Sequence, residues 1–282
     1  MQNKKILVLG AGVMGLGISQ AAAQKGFEVY LKDVDKNIAK KGILKIEASF
    51  QKLLDRGKIL KKEMKKNLSL IHALENEKSI KGIDFIIEAV AENTIIKKRL
   101  IKEIDKFRSN ESIFASNTTS LSITDLASAT DFPERFIGMH FFNPVWAMKL
   151  IEITPGIKTS KDTIEKTKVL ANSIGKTAIV LKESTGGIVS RITGTMINEA
   201  VFAFAEGVAS AEDIDMAIKL GANLPIGPLH LIDLIGLDIH LAKMETLYNE
   251  FGDSKYRPHP LLRRMVRAGY LGKKSGQGFF KY

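Results

Sequence analysis

Ile6-Leu7-Val8-Leu9-Gly10-Ala11-Gly12-Val13-Met14-Gly15 is the stretch on which the fold turns. Four apolar residues of strand type lead straight into a G-x-G-x-x-G run, and Gly15 opens a helix-type pattern that continues to Lys25. A second strand-type run, Glu28–Asp33, ends in an acid. Such a glycine run alone says little. Set between a strand and a helix, with a terminal carboxylate on the next strand, it is the dinucleotide-binding fingerprint. Gly10 permits the tight turn, Gly12 lets the backbone approach a pyrophosphate, and Gly15 lets helix and strand pack closely. Val13 and Met14 complete the run as expected cofactor-binding residues, and the neighbouring helix N-terminus offers its unpaired N–H groups and dipole to the phosphates. Asp33 accepts hydrogen bonds from the adenine ribose and repels a 2′-phosphate, so NAD is expected over NADP. Lys32 and Lys36 flank it and leave that preference open to test.

Working outward, strand-type runs recur at Asp84–Val90, Ser112–Asn117, Phe136–Phe142, Leu150–Thr154 and Thr177–Leu181. Helical patterns lie between them, at Ile38–Leu54, Thr94–Phe107 and Asp162–Ile174. Near-continuous apolar strands separated by helices predict a mostly parallel sheet covered on both faces. The expected architecture is α/β, a Rossmann-type doubly wound sheet followed by a smaller all-α domain. After Leu181 the strand signal stops, and Lys182-Glu183-Ser184-Thr185-Gly186-Gly187 reads as a linker. The expected domains are therefore 1–184 and 185–282. In the second, Ile192–Glu206, Ala211–Leu220, Leu229–Phe251 and Pro260–Ala268 read as helices. Ile192–Glu206 is apolar around much of its circumference, which suits a subunit interface and a buried core helix equally.

Composition narrows the function. The 282 residues hold no cysteine, which excludes disulfides, thiol chemistry and cysteine-ligated metal, and no metal site is expected. No apolar run reaches the roughly 18 residues of a membrane span, and no secretory signal is visible, so a cytoplasmic enzyme is expected. The 42 Lys and Arg outweigh 31 Asp and Glu, for a net charge of +11. Much of the excess lies between Asp35 and Lys66, where ten lysines and Arg56 face Asp35, Glu47, Asp55 and Glu63. Without aromatic interleaving or a finger or helix-turn-helix spacing, nucleic acid is a poor partner. A solvated helix face explains the run as well as a phosphate-bearing small molecule does.

Of the five histidines, His140 stands out. It ends the run Ile137-Gly138-Met139-His140-Phe141-Phe142 and precedes the Asn143-Pro144 turn. Downstream, Glu152 is an isolated carboxylate in the apolar run Leu150-Ile151-Glu152-Ile153, a costly place for an unpaired charge. If the two runs pair as a hairpin, Glu152 faces His140 and fixes the imidazole tautomer. That is what a general base needs when an alcohol loses its proton as hydride departs. A structural histidine remains the alternative at this point.

Taken together, Gly10-Ala11-Gly12-Val13-Met14-Gly15 with Asp33, Ala115-Ser116-Asn117-Thr118, Gly138-Met139-His140-Phe141-Phe142-Asn143-Pro144 with Met148-Lys149-Leu150-Ile151-Glu152, and Gly272-Lys273-Lys274-Ser275-Gly276-Gln277-Gly278-Phe279 resemble the 3-hydroxyacyl-CoA dehydrogenases. The likeness spans essentially the whole chain and is strongest toward the short-chain 3-hydroxybutyryl-CoA enzymes. It implies NAD-linked oxidation of a 3-hydroxyacyl-CoA, with His140 as base and Glu152 as its orienting acid. It further implies cofactor contacts at Glu92, Lys97, Asn117, Asn143 and Lys274. Coenzyme A contacts are implied at Ser49 and, with Arg in place of Lys, at Arg56. A homodimer through the helical domain is also implied.

The chain departs from the pattern in places. Thr119 stands where the family has a serine that touches substrate and cofactor. Ser190, in Val189-Ser190-Arg191, replaces an asparagine that polarises the substrate oxygen. Gly186-Gly187-Ile188 replaces Pro-Gly-Phe, and Trp146 replaces a proline. Two other readings stay in view: a β-hydroxyacid dehydrogenase acting on a free acid with a lysine base, and a non-catalytic NAD-binding protein on the same fold.

Overall fold

The computed structural model describes residues 4–74, 76, 80 and 82–282. The chain divides into two compact units, Met1–Ser184 and Thr185–Tyr282. The first is built on one eight-stranded sheet: β1 (Lys5–Leu9), β2 (Glu28–Lys32), β3 (Ile71–Ala73), β4 (Phe85–Glu88), β5 (Ile113–Ser116), β6 (Phe136–Phe141), β7 (Leu150–Pro155) and β8 (Thr177–Val180). The spatial order is β3-β2-β1-β4-β5-β6-β7-β8, and β6–β7 is the one antiparallel pairing in it. Helices cover both faces: α1 (Val13–Gln24), α2 (Lys36–Asp55), α3 (Lys61–Leu68), α4 (Thr94–Asp105), α5 (Ile123–Ala127) and α6 (Lys161–Ser173).

Alternation along the strands makes two cores. In β1, Ile6 and Val8 join a cluster containing Ile18, Phe50 and Leu170, while Leu7 and Leu9 join Ile101, Ile104 and Phe136 on the other face. With both faces dry, strand sequences must be apolar throughout, which is why β4 and β5 are buried at every residue. The helices begin at recognisable caps. Asp35 accepts from the Asn37 N–H at α2, Asn93 from Ile95 and Ile96 at α4, and Ser160 from Thr163 at α6.

The second unit is helical: α7 (Val189–Ala205), α8 (Ala211–Gly221), α9 (Pro228–Ile235), α10 (Leu237–Phe251) and α11 (Pro260–Arg267). Its core centres on Ile197, Val201, Leu229, Ile232, Leu237 and Leu262. The single helix expected over Leu229–Phe251 is two helices. Gly236 has φ +106°, a left-handed conformation open mainly to glycine, and it ends α9 before α10 begins. α7 also starts earlier than the apolar pattern indicated, at Val189. Buried Asp233 clasps the C-terminal segment, accepting from the N–H groups of Phe279 (3.0 Å) and Phe280 (2.9 Å) and from the Tyr282 hydroxyl (3.2 Å). Burial, together with the Asp233 charge, pushes the Tyr282 phenol up to about 12.

Candidate active site

The glycine turn follows from sterics. Gly10 has φ +103°, and its N–H donates to the Lys32 carbonyl at 2.8 Å. A side chain at Gly15 would collide with the Gly10 carbonyl, whereas one at Gly12 would meet nothing within 4 Å. Gly12 thus borders open space at the start of α1, where no side chain caps the free N–H groups. Among the described residues, this open backbone cradle and helix terminus fit the phosphates of a dinucleotide. Asp33 does more than the sequence suggested. One carboxylate oxygen accepts the Ala11 N–H at 2.6 Å and the other the Val34 N–H at 2.7 Å, so the ribose-type acid also braces the turn. Lys32 reaches toward Glu103, 3.8 Å away.

His140 and Glu152 stand opposite each other in the antiparallel register of β6 and β7. The imidazole Nδ1 lies 3.0 Å from Glu152 Oε2, with the two side chains 14% and 3% exposed. An ionised carboxylate has only acceptors, so Nδ1 carries the proton and Nε2 is left to accept. Nε2 faces the Thr119 hydroxyl at 3.2 Å. The Phe142 ring leans on the imidazole, with centroids 4.4 Å apart, and restricts its rotation. This is a histidine with one nitrogen tied down and the other presented.

The loop that carries Thr119 is held by Glu92. Its Oε1 accepts from the Thr118 hydroxyl (2.6 Å), the Thr119 N–H (2.9 Å) and the Ser120 N–H (3.1 Å). Burial works against the Glu92 charge, but the Lys97 ammonium and these donors outweigh it and hold the carboxyl below its usual range. Lys97 is fully buried. Its Nζ donates to Glu88 at 2.6 Å and lies 3.4 Å from Glu92 Oε2. Glu88, also fully buried, accepts in addition from the Ser116 hydroxyl (2.6 Å) and the Val90 N–H (2.8 Å). Asn117 Oδ1 accepts the Phe141 N–H at 2.9 Å, tying the end of β5 to β6 beside His140.

The structure therefore gathers His140, Glu152, Thr119, Asn117, Glu92 and Lys97 into one connected cluster, while Asn143 is exposed on the segment just after it. Lys97 is enclosed by carboxylates and closed to solvent. Ser49 is half-buried on α2, and Arg56 is exposed at that helix's C-cap. Ser190 and Lys274 belong to the second unit. Ser190 is buried in the first turn of α7, and Lys274 pairs with Asp238 at 2.5 Å.

Sequence reading passed over Glu88, although its signal was the one that exposed Glu152, a carboxylate inside an apolar strand. It also passed over Phe142, because nothing in a sequence says which ring lies against a histidine. No cluster of three or more metal-ligating side chains occurs among the described residues.

Comparison with known proteins gives the following. Residues 5–184 match the family "3-hydroxyacyl-CoA dehydrogenase, NAD binding domain", and residues 186–282 match "3-hydroxyacyl-CoA dehydrogenase, C-terminal domain". The 3-hydroxybutyryl-CoA dehydrogenase of Clostridioides difficile is 48% identical over 278 residues, covering 99% of both chains. That of Bradyrhizobium diazoefficiens is 43% identical over 279 residues, covering 99% of this chain and 95% of the relative. Among solved structures, the (S)-3-hydroxybutyryl-CoA dehydrogenase of Ralstonia eutropha superposes with a TM-score of 0.95 at 44% identity, covering 99% of each chain.

Proposed function

Because the chain belongs to the 3-hydroxyacyl-CoA dehydrogenase family, we propose that it catalyses the reversible NAD-linked oxidation of an (S)-3-hydroxyacyl-CoA to the 3-ketoacyl-CoA, with the 3-hydroxybutanoyl/acetoacetyl pair as substrates. The observation that carries this reading is the geometry of His140, Nδ1 on Glu152 at 3.0 Å and Nε2 turned to a hydroxyl at 3.2 Å.

The Thr119 oxygen marks where an alcohol lies within hydrogen-bond reach of Nε2. In the oxidative direction His140 takes the substrate hydroxyl proton at Nε2, and in reduction it returns that proton to the ketone oxygen. Glu152 fixes the tautomer and offsets the imidazolium charge that forms. Thr119 orients the oxygen, and Glu92 keeps the Thr118–Ser120 turn in place. When bound at the Gly10–Gly15 turn, NAD supplies the hydride acceptor. Asp33 receives its ribose, and Asn117 and Asn143 are the further contacts on this unit that the family resemblance assigns; Lys97, fully buried against Glu88 and Glu92, does not reach the cofactor and acts by holding Glu92. Ser49 with Arg56 contacts coenzyme A.

The protein acts in the cytoplasm, in fatty-acid or butanoate metabolism, as a homodimer through its helical unit. Exposed Ile192, Met216, Leu220 and Ile239 on that unit support the dimer, and no described helix is long and apolar enough to cross a membrane. Initial rates on acetoacetyl-CoA and on free acetoacetate, each with NADH, test the reading. Efficient reduction of the thioester alone is expected. A preference for the free acid would transfer the chain to the β-hydroxyacid reading.

A further inference from the structure

After His140 the chain runs Phe142-Asn143-Pro144-Val145-Trp146-Ala147-Met148-Lys149 before β7 begins, a loop joining the two strands that carry His140 and Glu152. It closes on itself only in part. The Ala147 and Met148 N–H groups both donate to the Pro144 carbonyl at 3.0 Å. Its other carbonyls are taken from outside. Lys176, just before β8, donates from Nζ to the Val145 carbonyl and, at 2.7 Å, to the Met148 carbonyl. The Thr177 N–H then donates to the Lys149 carbonyl at 2.6 Å.

That use of a lysine is costly. Lys176 is buried, and among the described residues no carboxylate pairs with it. Burial, and then the neighbouring Lys25 charge, hold its amine below the usual range. A buried cation without a counter-charge persists only where hydrogen bonds offset its desolvation, and here both go to one loop. A methionine would fill the same space without that cost, so space-filling does not explain the amine. The loop also leans on α1. Val145 is buried, and a Cβ at Gly17 would come within 2.9 Å of its Cγ2, so glycine at 17 makes room for it two residues beyond Gly15.

Asn143 stands between β6 and this fastened turn. It is exposed, makes no hydrogen bond of its own among the described residues, and follows Phe142, whose ring leans on His140. Its side chain is therefore placed by the loop backbone. β1, β4, β5 and β6 run parallel, so the glycine turn after β1 and Asn143 after β6 emerge at the same carboxyl edge, where such sheets bind their ligands.

We propose that Lys176 is a positioning residue for the cofactor site: by fastening the Pro144–Lys149 turn to the start of β8, it fixes how Asn143 is presented to the dinucleotide beside His140. The role of Asn143 toward the cofactor rests on the function proposed above, whereas the fastening of the loop does not.

The chain's one tryptophan, Trp146, lies in this turn and is 63% exposed, so its fluorescence anisotropy reads the loop with no dinucleotide present. In Lys176→Met that anisotropy should fall, and in Lys176→Arg, which keeps donors for both carbonyls, it should stay closer to wild type. NADH affinity should weaken about tenfold in Lys176→Met, the scale of one hydrogen bond lost. The KM for acetoacetyl-CoA should stay near wild type. Gly17→Ala disturbs the loop from α1 without touching Lys176 and should move both readouts the same way. Asn143→Ala should weaken NADH by itself, and adding Lys176→Met to it should weaken NADH little further, because residues acting through one contact do not add. If Lys176→Met does not fold, the same cycle is run with Gly17→Ala.

Wild-type anisotropy in both loop variants would overturn the fastening. A loosened Trp146 with unchanged NADH affinity, or losses that add in the Asn143→Ala background, would leave Lys176 a structural role alone and overturn the proposal. A protein whose NADH affinity depends on Lys176 in this way, yet which does not reduce acetoacetyl-CoA, would retain the positioning role and lose the proposed function.

Discussion

Replacing Glu88 by Leu would strand the Lys97 ammonium in the protein interior. Both side chains are fully buried, 2.6 Å apart, and the remaining carboxylate near Lys97 is Glu92 at 3.4 Å. Glu88 also accepts from the Ser116 hydroxyl and the Val90 N–H, so its loss leaves those donors short as well. Removing one partner of a buried pair typically costs about 3–5 kcal/mol. For a unit of this size, each kcal/mol moves Tm by about 2–4 °C, so a fall on the order of 10 °C is expected. Lys97→Met should cost a comparable amount, because it leaves Glu88 as the buried unpaired charge. The double variant Glu88→Leu/Lys97→Met removes both charges and should be more stable than either single variant, since apolar replacement of a whole buried pair is often close to neutral. Circular-dichroism melts of the four proteins form the cycle. Costs that simply add in the double variant would refute the account of the pair. Turnover supplies a second readout. Even when folded, the double variant lacks the ammonium that holds Glu92, and through it the Thr119 turn, so its kcat should remain depressed.

Other expectations follow from single contacts. Thr119→Ser should keep near-wild-type turnover and Thr119→Val should lose more than tenfold, because the hydroxyl 3.2 Å from His140 is the functional atom; equal rates in the two variants would displace Thr119 from the site. Asp33→Ala should weaken NADH and narrow the discrimination against NADPH, and it should lower Tm slightly because Asp33 also holds the Ala11 N–H; wild-type preference for NADPH would reverse the assignment. His240 lies fully buried in α10 with both ring nitrogens unpartnered, and burial, aided by the Lys243 charge, pushes it from 6.5 down to about 3. The unfolded chain therefore takes up a proton near pH 6.5 that the folded chain refuses until about pH 3, so stability is lost as pH falls across that window. By pH 5 the loss is about 2 kcal/mol in urea titrations, and His240→Leu should remove it; an unchanged acid slope in that variant would contradict the assignment.

What the sequence disclosed depended on how far each signal reached along the chain. The glycine turn is local: Gly10, Gly12 and Gly15 are required by contacts within a few residues, so the motif and the structure coincide. His140 and Glu152 were readable because an isolated carboxylate in an apolar strand demands a partner and the register of β6 and β7 provides one. β3 escaped notice because three residues are too few to show a period, and the break at Gly236 was hidden because apolar spacing continues across it. The support behind the site was harder still. The chain from Glu88 through Lys97 and Glu92 to Thr119 joins β4, α4 and the loop after β5, and such contacts exist only once the sheet has formed.

The central claim is that His140 moves the proton while the Gly10–Asp33 region holds the dinucleotide independently of it. The measurement that bears on it most directly is the turnover of acetoacetyl-CoA with NADH by wild type and His140→Gln, alongside NADH affinity in both proteins. The account predicts a loss of roughly two to four orders of magnitude in kcat with NADH binding essentially unchanged. Wild-type turnover in His140→Gln would contradict it.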